Sequence, residues 1–91
     1  SNGYLEITIL ITPKGNIHNS PIITFRGLPV YEKEEFLYGL EDEIEKISRT
    51  FKLGNKQQEH NLIDALKIAC RKFTKEKTGK KPFANINLVK I

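Results

Sequence analysis

The chain has 91 residues, 38% of them hydrophobic and 29% charged, with a net charge of +4. A chain of that size builds one hydrophobic core and not two, and its composition is that of a globular domain. No apolar run nears the roughly 20 residues that a bilayer-spanning helix needs, and one Cys with two His (Cys70, His18, His60) cannot make a Cys/His zinc site alone.

Ser1-Asn2 reads as a remnant of tag cleavage and residues 1–3 as a disordered start, so a single folded unit is expected over residues 4–91. Tyr4–Thr12 reads as a strand, with Leu5, Ile7, Ile9 and Ile11 on one face and Glu6 and Thr8 on the other. Pro13-Lys14-Gly15-Asn16 is turn chemistry. Ile17–Phe25 returns as a second strand. Pro21 cannot donate to a ladder, which predicts an edge position or a strand start there.

Glu34–Lys52 reads as a helix through Phe36, Leu37, Leu40, Ile44, Ile47 and Phe51, spaced by three and four. Asp42/Lys46 and Glu45/Arg49 stand in the favourable i,i+4 order. Gly39 weakens this helix and marks a close packing contact. Leu53-Gly54-Asn55 is a stop signal. Glu59–Lys77 reads as a second helix, with Leu62, Leu66, Ala69, Cys70 and Phe73 as its stripe. Thr78-Gly79 ends it and Pro82 forbids its continuation. Asn85–Ile91 is a last strand with Ile86 and Leu88 on one face and Val89 and Ile91 on the other.

The order is β-β-α-α-β. Two amphipathic helices need an apolar sheet face to cover, which predicts an α+β two-layer sandwich, a three-stranded sheet with both helices on one face. The other face is left bare. On the first strand it carries Tyr4 and Leu10, and the edge strands are unpaired, so an interface is expected there, with another copy or with the rest of a longer chain.

Metal, phosphate-loop and nucleophile-elbow motifs are absent from the sequence. His18 reads as an exposed turn residue, His60 as a residue near a helix start, and Cys70 as a small core residue. Charge is unevenly placed. Glu32–Glu45 holds seven acids and one base, and Arg71–Lys81 holds six bases and one acid. The basic run (Arg71, Lys72, Lys75, Lys77, Lys80, Lys81) is the candidate for phosphate contact with RNA, which carries affinity without sequence readout. No catalytic or metal-binding residue is assigned.

Two segments carry a family resemblance. Lys72-Phe73-Thr74-Lys75-Glu76-Lys77-Thr78-Gly79-Lys80-Lys81-Pro82, followed by a closing strand, resembles the terminal signature of ribonuclease J. Gly15, then Ser20-Pro21-Ile22-Ile23, then Arg26-Gly27-Leu28 resembles an earlier stretch of the same family. Thr24 stands where the family usually has Ser. Phe83-Ala84-Asn85 replaces a segment that usually contains proline, and Asn85 and Asn87 enter the last strand. The resemblance implies the C-terminal domain of a metallo-β-lactamase/β-CASP ribonuclease, with 5′-to-3′ exonuclease and endonuclease activity in rRNA maturation and mRNA decay. It places zinc and catalysis in a region outside this chain, and no cofactor in the chain itself. It further implies self-association as a dimer or higher assembly, RNA as the substrate of the parent, and the three-stranded sheet facing two helices read above. The lone cysteine, with no apolar span and no basic-then-apolar opening segment, predicts a reducing, cytoplasmic setting away from membranes.

Overall fold

The computed structural model describes residues 2–91. Its elements are β1 (Tyr4–Ile11), β2 (Ile17–Arg26), α1 (Lys33–Ser48), α2 (Lys56–Thr78) and β3 (Phe83–Lys90). They form the predicted α+β sandwich. The sheet runs β2-β1-β3, with β1 antiparallel to β2 and parallel to β3. No helix among the described residues is long and apolar enough to cross a membrane.

The central strand organises the core. Leu5, Ile7, Ile9 and Ile11 are buried to within 3% of full enclosure. Phe36, Leu40 and Ile44 of α1, Leu62, Leu66 and Cys70 of α2, and Ala84 and Ile86 of β3 complete the cluster. Burying each large aliphatic side chain contributes about 1.5–3 kcal/mol. The alternate residues of β1 (Tyr4, Glu6, Thr8, Leu10) are only half-buried, so the helices cover one face and leave the other open.

Pro21 sits on an edge strand as predicted. Near it Asn19 adopts a left-handed φ of 63°, and the β1–β2 register shifts between Thr8 and Leu10. Order reaches one residue further than the expected boundary at Tyr4, because the Gly3 carbonyl accepts from the Phe83 N–H at 3.0 Å. Of the Ser1-Asn2 pair, Ser1 lies outside the described residues.

Four local expectations need correction. α1 ends at Ser48, not Lys52. Its chain tightens there, with Thr50 N–H to Ile47 and Phe51 N–H to Ser48, and the Thr50 hydroxyl also donates to the Ile47 carbonyl at 2.8 Å. Phe51 packs against the core from the loop instead. α2 begins at Lys56, three residues early, because Asn55 is its N-cap: the side-chain oxygen accepts from the Gln58 N–H at 2.9 Å. Asn55 therefore starts the second helix rather than ending the first. β3 begins at Phe83, and from there the alternation is regular, with Ala84, Ile86 and Leu88 toward the helices. Finally, Lys46 pairs with Glu43 at 3.0 Å and not with Asp42, whereas the Glu45–Arg49 pair forms at 2.6 Å.

Gly39 is the close contact that its position in α1 suggested. A Cβ there would stand 2.6 Å from Cζ of Phe73 on α2. The Phe73 ring is itself set against Phe36, with centroids 5.9 Å apart. Gly39→Ala gains up to about 1 kcal/mol of helix propensity and loses about 1–3 kcal/mol to overpacking. We expect it to destabilise the chain by about 1 kcal/mol in urea unfolding, and to stabilise it once Phe73→Ala has removed the ring. An equal effect in both backgrounds would contradict the packing assignment.

Candidate functional site

The open face of the sheet is built as four cross-strand rows. Reading from β2 through β1 to β3, they are Arg26–Tyr4–Phe83, Thr24–Glu6–Asn85, Ile22–Thr8–Asn87 and His18–Leu10–Val89. Both interface residues named from the sequence, Tyr4 and Leu10, lie on it. The structure adds Ile22, Phe83 and Val89, which are 55%, 67% and 42% exposed. The Tyr4 and Phe83 rings stack with centroids 5.8 Å apart and planes within 9°.

A polar cluster sits in the middle of this surface. The Glu6 carboxylate accepts from the side-chain amides of Asn85 and Asn87, and Tyr4 donates its hydroxyl to Glu6 Oε1 at 3.2 Å. Asn85 also donates to Asn87 Oδ1 at 3.3 Å. Hydrogen bonds from Asn85 and then Asn87 hold the Glu6 carboxyl below its ordinary value. Burial, followed by the hydrogen bond and charge of Glu6, raises the Tyr4 phenol. The two asparagines that depart from the family pattern are thus the donors that fix Glu6. Alternation along β3 puts Phe83, Asn85, Asn87 and Val89 on one face, and the parallel pairing with β1 sets the two asparagines beside Glu6.

The basic segment does not act as one patch. Arg71, Lys72, Lys75 and Lys81 line a groove with Ile68 and Glu76. Arg71 is partly committed, its Nε–H donating to the buried Pro82 carbonyl at 2.9 Å. Lys77 lies over the Phe73 ring, 5.6 Å from its centroid, beside the N-terminal end of α1. Lys80 reaches the Gly27 carbonyl at 3.5 Å. The structure brings four of the six predicted phosphate-contact residues together and sends Lys77 and Lys80 elsewhere.

His18 is exposed in β2 and His60 is exposed in α2. Among the described residues, no three His, Cys, Asp or Glu side chains converge as a metal site. Cys70 is enclosed in the core, and burial together with the charge of Glu43 pushes its thiol up to about 12.

The Glu6 cluster gives a signed pH dependence. A carboxyl whose value is lowered by folding stabilises the native state above its unfolded value, here 4.5, and loses that contribution as pH falls through the folded value. Urea unfolding of the native chain and Glu6→Gln should therefore show a stability difference that is constant above pH 5.5 or so and shrinks as acid is added below about 4.5. A difference that grows on acidification would contradict the assignment.

Comparison with known proteins places this architecture in a family. Curated proteins give no match to the chain. The family described as "Ribonuclease J C-terminal domain" matches residues 1–89, which takes in β1, β2, both helices, all of β3 but Lys90 and the four rows of the open face. The fold, the terminal basic segment and this nearly full-length match agree, and the chain belongs to the ribonuclease J C-terminal domain family.

Proposed function

We propose that this domain is a non-catalytic assembly module of a zinc-dependent ribonuclease. It links copies of the parent, or braces the parent's own catalytic region, through the uncovered side of its sheet. The observation that carries this reading is the contrast between the two faces of β1. One is sealed by helices, and the other presents a stacked Tyr4–Phe83 pair with exposed Ile22 and Val89. Apolar surface gathered on one side of a small domain is characteristic of an interaction site. In this reading RNA hydrolysis, in rRNA maturation and mRNA decay in the cytoplasm, belongs to the catalytic region of the parent, and zinc with it.

An alternative reading, phosphate contact through the basic segment, rests on the groove of Arg71, Lys72, Lys75 and Lys81. It carries less, because Lys77 and Lys80 turn away from that groove and Arg71 is engaged by Pro82.

Sedimentation velocity over a concentration series tests the assembly reading. The domain should associate as concentration rises. Leu10→Lys combined with Ile22→Glu should weaken association at least tenfold, which corresponds to about 1.4 kcal/mol. A strict monomer at high concentration, together with a monomeric parent, would overturn it.

A further inference from the structure

The outward face of α2 combines exposed apolar surface with unpaired positive charge. Helical spacing puts Ile68, Arg71, Lys72 and Lys75 on one stripe, at i, i+3, i+4 and i+7. Ile68 heads this stripe and is 71% exposed, the most exposed large aliphatic side chain among the described residues. It is not isolated. Ile68 lines two adjoining grooves, and Lys72 and Glu76 line both with it. In the first groove Arg71, Lys75 and Lys81 form a basic wall. The second groove includes residues of both helices, and Ile47, Ala65 and Ala69 give it an aliphatic floor. Among the described residues no carboxylate pairs with Lys72, Lys75 or Lys81, whereas Lys46, Arg49 and Lys90 each hold one.

We infer that this surface binds an acidic amphipathic helix of another protein. An aliphatic side chain of that helix packs on Ile68, over the floor of Ile47, Ala65 and Ala69. Its carboxylates meet Lys72, Lys75 and Lys81. Along α2, Lys72 and Lys75 stand roughly 6 and 10 Å beyond Ile68. A partner helix therefore supplies acids about one and two turns from its apolar anchor, the spacing by which a helix is read in a groove. The surface belongs to the helix layer, and the open face lies on the other side of the sheet. Both can be occupied at once, so the inference does not rest on the assembly reading.

Charge and apolar surface together select this occupant. Arg71, Lys72, Lys75 and Lys81 against Glu76 favour a negatively charged ligand. A ligand that offered phosphates alone would gain nothing from Ile68, and it would meet Glu76 and Glu43 on the groove linings. Single-stranded RNA adds bases, which gain by stacking on open aromatic faces. The one ring that lines these grooves, Phe73, is half-buried, set against Phe36 and approached by Lys77. A peptide places its charges discretely. It can set carboxylates against the lysines, keep them away from Glu43 and Glu76, and cover Ile68 with the apolar side of the same helix.

Fluorescence polarisation and methyl NMR on the native chain test this with three probes. One is a synthetic peptide of glutamate and leucine with its leucines on one helical face. The second has the same composition scrambled so that the leucines share no face, and the third is oligouridylate. The patterned peptide should bind and shift the methyl signals of Ile68, Ala65 and Ala69. Ile68→Ala, which trims an exposed side chain, should weaken that binding about tenfold. Lys72→Glu combined with Lys75→Glu should weaken it by about tenfold or more. The scrambled peptide should bind about tenfold less tightly. A patterned peptide that does not bind, that binds no better than the scrambled one, or that is indifferent to Ile68→Ala overturns the proposal. Oligouridylate that binds this surface more tightly than the patterned peptide assigns it to RNA and overturns the proposal. Shifts at Ile68 on concentrating the chain alone assign the surface to a second copy and do the same.

Discussion

The structure depends on the one-sidedness of its central strand. β1 is hydrogen-bonded on both edges, so the two faces of the sheet are separated by the alternation of its eight residues. Four aliphatic side chains point one way, and only one of the four opposite them, Leu10, is aliphatic. A single-residue slip would exchange the two sets, burying Glu6 and exposing three isoleucines, so the register is strongly specified. Both amphipathic helices are then drawn to the same side. Even the close helix pair, with Gly39 against Phe73, follows from crowding two helices onto a three-stranded sheet.

The same constraint produces the open surface on which the proposed assembly rests. Among the described residues, no third layer covers the second face. The sequence answers this with a compromise. Glu6, Thr8, Asn85 and Asn87 make its middle polar and internally hydrogen-bonded, while Tyr4, Phe83, Ile22 and Val89 leave apolar material around that middle. Such a surface joins a hydrogen-bonded polar centre to an exposed apolar border. It suits an accessory domain of a ribonuclease, which the family match supports.

The element order, the buried face of β1 and the Gly39 contact could be read from the sequence because each rests on a local pattern: alternation, three–four spacing, or a glycine inside a helix. What escaped was set by context. Asn55 is chemically suited to end one helix or begin the next, and the Gln58 N–H decides. Phe83 lies two residues before the strand start expected at Asn85, yet the Gly3 carbonyl recruits its N–H to the ladder. Lys46 had acids at both i−3 and i−4, and Glu43 took it. The open face was legible in Tyr4 and Leu10, but its polar centre needs β1 and β3 side by side, a parallel pairing across about 80 positions that no local pattern encodes. The basic run read as a unit along the chain, and helix geometry divided it between two faces.

Hydroxyl-radical footprinting of the native domain, at dilute and at concentrated protein, addresses the central claim most directly. Tyr4 and Phe83 should be modified freely when dilute and become protected as copies assemble, while Tyr31, 93% exposed in the loop before α1, reacts equally in both. If Tyr4 and Phe83 react alike at every concentration, and equally within the full-length parent, the open face is a finished surface and the account is contradicted.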